Sequence, residues 1–122
     1  MNLNNKNIWF VPAIVVAVGI FLLSTFLSFP VQVKEISYFD KIEHCFAYFV
    51  LILSFLIAYK KAGKLTNRRL YLLVLFACLY GLLLEAVQFS LFPNRFFEWV
   101  DAAANVLGVL IGFAIFKILK IG

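Results

Sequence analysis

The chain has 122 residues, of which 65% are hydrophobic and 14% charged, with fifteen phenylalanines. Soluble domains lie nearer ~45–50% apolar and ~25% charged, and a mean hydropathy of +1.01 excludes that class together with disordered, collagen-like and disulfide-rich secreted chains. The net charge of +5 would suit a nucleic-acid partner, but its distribution marks membrane topology instead, and no nucleic-acid binding is expected.

Four apolar runs follow one another with short connections. The first covers 8–29 without a charge and stops at Pro30, where a helix cannot easily continue. Its flank carries only Lys6 and no small-residue cleavage pattern follows, so it reads as an uncleaved span rather than a removable signal peptide. The second covers about 42–59, with Glu43 and His44 in its first turn. The third covers 70–92 with Glu85 and Gln88 inside it, and ends at Pro93-Asn94. The fourth covers about 100–119, with Asp101 and Asn105 near its start. Runs of this length in lipid must be helices, because a helix satisfies its own backbone hydrogen bonds. The expected fold is all-α: one domain, 1–122, forming a bundle of four transmembrane helices.

Lys6, Lys60, Lys61, Lys64, Arg68, Arg69, Lys117 and Lys120 share one side of this arrangement, with no carboxylate among them. The other side carries Lys34, Lys41 and Arg95 against Glu35, Asp40, Glu43, Glu98 and Asp101. The positive-inside rule then predicts both termini in the cytoplasm. Trp9, Trp99, Tyr38, Tyr59 and Tyr71 fall near span ends, as an aromatic belt does.

With that orientation the unusual polar residues all lie toward the outer side. At ~100° and ~1.5 Å per residue, Asp40, Lys41, His44 and Tyr48 share one arc of the second span. Cys78, Gly81, Glu85, Gln88 and Phe92 make a stripe on the third, and Asp101, Asn105, Gly108 and Gly112 a stripe on the fourth. Gly108 and Gly112 form a G-x-x-x-G pair, which lets another helix approach closely; Gly81 is a further expected helix contact. Glu85 stands out, since a carboxylate inside an apolar span costs a few kcal/mol and usually faces an interior or a cavity. It is either an interhelical pin or part of a binding or catalytic site. A single His with Asp and Glu neighbours predicts no metal site, because zinc catalysis prefers three protein ligands with nitrogen or sulfur among them. The two cysteines, Cys45 and Cys78, match no metal or redox spacing, and no cofactor is expected. Ser24, Ser28 and Ser54 lack a nucleophile pattern.

The motifs D-K-I-E-H at 40–44, Y-G-L-L-L-E-A-V-Q at 80–88, Arg95, and D-A-A-A-N-V-L-G at 101–108 occur in this order. Over residues 38–116 this pattern resembles the VanZ-like family of small bacterial membrane proteins. The family's pattern falls on Asp40, Lys41, His44, Gly81, Glu85, Gln88, Arg95, Asp101, Asn105 and Gly108. The segment F-F-E-W-V at 96–100 departs from it, where many members have a small polar residue before the aspartate. The resemblance implies a multi-pass protein of the bacterial cytoplasmic membrane and a link to resistance against teicoplanin-type glycopeptide antibiotics.

Three functions compete. In the first, Asp40, Lys41, His44, Glu85, Gln88, Arg95, Asp101 and Asn105 bind a cell-envelope lipid, glycan or lipoglycopeptide. In the second, an intramembrane hydrolase or transferase uses Glu85, His44 and Asp101 as catalytic groups on a lipid-linked substrate. In the third, the polar layer only specifies helix pairing. A channel is disfavoured, because polar residues confined to the outer half leave no continuous path. The oligomeric state is not encoded in these patterns.

Overall fold

The computed structural model describes residues 5–25, 38–91 and 99–120. A 3-10 turn, Lys6–Trp9, leads into α1 (Phe10–Thr25), followed by α2 (Tyr38–Lys61), α3 (Asn67–Leu91) and α4 (Trp99–Leu119). The described residues are thus all-helical. Four stretches, Lys6–Thr25, Lys41–Lys61, Asn67–Gln88 and Trp99–Leu119, are long and apolar enough to cross a membrane.

The helix limits differ from the apolar runs for local reasons. The tight turn before α1 falls where Pro12 has no N–H to offer the Ile8 carbonyl. The expected stretch 26–29 lies outside the described residues. α2 begins at Tyr38 rather than at 42, so the polar segment 40–44 is helical. Its other end is a Schellman motif: Gly63 adopts φ +71, Lys64 N–H donates to Tyr59 O at 2.9 Å, and Gly63 N–H donates to Lys60 O at 3.0 Å. Thr66 then caps α3, its hydroxyl accepting from Arg69 N–H at 3.2 Å and its carbonyl from Leu70 N–H at 2.8 Å. The cap draws Arg68 and Arg69 into the first turn of α3, ahead of the apolar run that starts at Leu70.

Two parallel helix pairs, antiparallel to each other, make the bundle. α2 and α4 form its most extensive contact although they are not neighbours in sequence. Lys41 meets Asp101 at one end, Gly108 lies on the Cys45 carbonyl, and Lys60 stands 5.6 Å from the Phe116 ring centre at the other. A Cβ on Gly108 would collide with that carbonyl, and one on Gly112 with the Ile52 side chain. The expected G-x-x-x-G face is therefore what permits backbone-to-backbone contact. α1 runs parallel to α3, tied by the Tyr80 hydroxyl donating to Ala17 O and the Gln88 amide to Ser24 O, each at 2.6 Å. α1 and α2 meet edge-to-face through Phe10 and Tyr59, 5.0 Å between ring centres.

The core runs along the middle of the bundle through Ile20, Tyr48, Ile52, Leu56, Leu84, Val109 and Phe116. The outward faces are apolar as well: Val15, Leu23, Phe46, Phe76, Leu83 and Leu107 are all exposed. A soluble monomer rarely shows apolar patches beyond a few hundred Å²; a hydrocarbon environment removes that penalty. The basic residues gather at one end, where Lys64 Nζ donates to Asn7 Oδ1 at 3.2 Å and Arg69 Nη1 to Lys64 O at 2.6 Å. There Lys61 and Lys64 lie 5.4 and 5.9 Å from the ring centres of Trp9 and Phe10.

Candidate functional site

The opposite end of the bundle holds the polar residues. On α2, Lys41, His44 and Tyr48 recur at helical spacing and turn toward α4 and α3. On α4, Asp101 and Asn105 sit one turn apart on the same stripe as the two packing glycines, so close packing at Gly108 and Gly112 carries these polar groups into the bundle. Asp101 is 1% exposed, Asn105 2%, Gln88 3% and Glu85 4%.

Lys41 Nζ makes an ion pair with Asp101 Oδ1. His44 Nδ1 lies 3.1 Å from Asn105 Oδ1. An amide oxygen only accepts, so Nδ1 carries the proton and, in the neutral ring, Nε2 carries the lone pair. Nε2 lies 3.9 Å from Asp101 Oδ2. Gly81 of α3 leaves the room that Asn105 occupies: a Cβ there would stand 3.1 Å from the Asn105 amide nitrogen and 3.0 Å from the Tyr48 ring. One turn further along α3 comes Glu85. The ligating atoms of His44, Glu85 and Asp101, from three helices, all lie within 4.8 Å of one another.

Gln88 is the next buried polar group on α3. Its Nε2 donates to the Ser24 carbonyl near the end of α1, while its Oε1 is buried and meets no donor among the described residues. An acceptor buried in this way costs roughly 1–3 kcal/mol unless a ligand or water supplies a proton.

Of the residues singled out in the sequence, the fold thus brings together Lys41, His44, Glu85, Asp101 and Asn105, with Gly81 and Tyr48 packed beside them and Gln88 bridging to α1. Asp40 lies in the first turn of α2, but its side chain is outside the described part, and so is Arg95. Glu43 is exposed. The Ser54 hydroxyl donates to Val50 O at 2.7 Å, on its own helix. Two features escaped the sequence reading. One is the participation of α1, through Ser24 and Ala17 backbone carbonyls that no side-chain pattern reveals. The other is the parallel pairing of α2 with α4, which brings His44, Glu85 and Asp101, grouped in the sequence only by depth and face, within reach of one another. The small residues repeating at 108 and 112 on the Asp101 stripe were the available signal.

On the outward side of the α3–α4 seam an open apolar groove of about 540 Å³ runs between Cys78, Leu79 and Leu82 on one wall and Ala102, Val106 and Leu110 on the other. The buried polar cluster lies on the inner side of that seam. Comparisons with protein-family models, with curated proteins and with solved structures give no match.

Proposed function

We propose that this is a multi-pass protein of a bacterial cytoplasmic membrane, similar to the VanZ-like proteins, that engages a cell-envelope lipid, glycan or lipoglycopeptide through its polar cluster. The basic end, with Lys60, Lys61, Lys64, Arg68 and Arg69, faces the cytoplasm together with both termini. The polar cluster then opens toward the outer leaflet. A contribution to teicoplanin-type resistance follows from the motif resemblance alone.

The observation that carries the binding reading is the meeting of buried polar side chains from three helices, with Gln88 Oε1 lacking a donor among the described residues, inside an otherwise apolar bundle. Intramembrane polar groups of this cost usually mark a ligand or substrate path. A lipid fits it: a hydroxyl or amide headgroup supplies the donor that Gln88 lacks, Arg95 supplies an attracting positive charge, and a chain lies along the α3–α4 groove. The test is mass spectrometry of the purified protein after incubation with an envelope-lipid extract. The wild type retains an unaltered lipid, and Arg95→Glu retains less of it. Equal retention by the two would overturn this reading.

The closeness of His44, Glu85 and Asp101 favours a second reading, an intramembrane hydrolase or transferase with these as acid and base groups. The same experiment separates the two, because an enzyme leaves a new product in the lipid pool with wild type and none with Glu85→Gln.

A further inference from the structure

The geometry points to a binding site for one divalent first-row transition ion, of the zinc or manganese kind, formed by His44 Nε2, an Asp101 oxygen and a Glu85 oxygen. The inference stands on the placement of these side chains and is independent of which envelope ligand is bound.

The spacing is close to what an ion requires. Metal–nitrogen and metal–oxygen bonds of ~2.0–2.2 Å place neighbouring donors of one tetrahedral ion about 3.4 Å apart. The three donor atoms here fall within 4.8 Å, and His44 Nε2 and Asp101 Oδ2 stand 3.9 Å apart. Side-chain adjustments of up to about an ångström therefore close the site.

The surroundings match those of a ligand set. A metal-bound histidine donates its other ring N–H to a carbonyl or carboxylate, which orients the ring, and ligating carboxylates are themselves hydrogen-bonded. Asn105 Oδ1 holds His44 Nδ1 in this way, and Nε2 is on the side of Asp101, 3.9 Å from its Oδ2. Lys41 holds Asp101 by Oδ1, so Oδ2 is the oxygen turned toward the ring. The donors come from α2, α3 and α4, whose relative position is fixed by the glycine contacts at 81, 108 and 112. One imidazole with two carboxylates suits zinc, manganese or ferrous iron better than a thiolate-seeking ion.

A second, separate observation comes from the next turn of α3. Gln88, three residues beyond Glu85 on α3, buries its Oε1 without a donor among the described residues. Three protein ligands leave coordination positions for water, and a metal-bound water is the kind of donor such an oxygen accepts from. The expectation of no metal rested on a lone histidine; the donors that the fold brings together are one imidazole and two carboxylates, each from a different helix.

The test uses the tag-free full-length chain in detergent and Co²⁺ alone as the probe. His44 is the only histidine, so its ring gives an unambiguous signature. Wild type should take up one Co²⁺ per chain and show one paramagnetically shifted, exchangeable imidazole N–H resonance. Asn105→Leu should weaken uptake about tenfold, as loss of an orienting partner does. His44→Ala should abolish the resonance and the uptake. His44→Cys should keep the ion and add a sulfur-to-cobalt charge-transfer band, a gained signal that a misfolded chain cannot mimic. Identical titrations of wild type and His44→Ala would overturn the inference, and so would a folded His44→Cys chain without the new band. Neither outcome bears on lipid retention, which is read without added metal.

Discussion

Gly108 of α4 lies directly against the Cys45 carbonyl of α2, so close that a Cβ would occupy the oxygen's place. This contact sets the depth to which α4 seats on α2. The depth in turn decides that Asp101 reaches Lys41 and that Asn105 reaches His44. Packing and site are thus one construction.

Gly108→Ala should destabilise the bundle by about 3 kcal/mol, the upper part of the range for overpacking, because a backbone carbonyl cannot move aside. Gly112→Ala should cost less, since its closest obstacle is the Ile52 side chain. Gly19→Ala meets nothing within 4 Å and should be neutral or stabilise α1 by up to about 1 kcal/mol. Equilibrium unfolding in mixed micelles, compared across the three variants, checks the order.

The Lys41–Asp101 pair should behave as a buried ion pair does. Lys41→Met alone removes the ion-pair partner of the buried Asp101 carboxylate and should cost up to about 3 kcal/mol. The double variant Lys41→Met/Asp101→Leu should recover most of that loss. If the double variant unfolds as readily as the single one, the carboxylate is held by other groups and the pair is not what stabilises it.

His44 and Asn105 should be energetically coupled by about 1 kcal/mol, the net worth of one hydrogen bond. A double-mutant cycle with His44→Ala and Asn105→Ala reads it directly. Additive effects would mean that the two side chains are merely adjacent.

Gln88→Leu separates binding from folding. It loses the bond to Ser24 O but also removes an oxygen buried without a donor among the described residues, so stability should change by no more than about 1 kcal/mol. Envelope-lipid retention, followed by mass spectrometry, should nevertheless fall. Unchanged retention would take Gln88 out of the ligand's path.

Much of the candidate site was legible because helix periodicity is local. Asp101, Asn105, Gly108 and Gly112 fall on one stripe whatever α4 packs against, and the same holds for Gly81, Glu85 and Gln88 on α3. Helix ends were less legible. The start of α3 depends on the Thr66 cap, and the start of α2 is set within a polar stretch that hydropathy assigns to a loop.

Composition and periodicity by themselves determined the helical class, the four apolar segments and the residues that each helix presents on its polar face. They do so because the helix repeat and the length of an apolar run depend only on near neighbours along the chain. Which faces meet was decided by the tertiary structure alone. The pairing of α2 with α4 rests on contacts about sixty residues apart in sequence, between glycines of one helix and carbonyls of the other. Only that pairing, with α3 closing over Gly81, places His44, Glu85 and Asp101 within reach of a common partner.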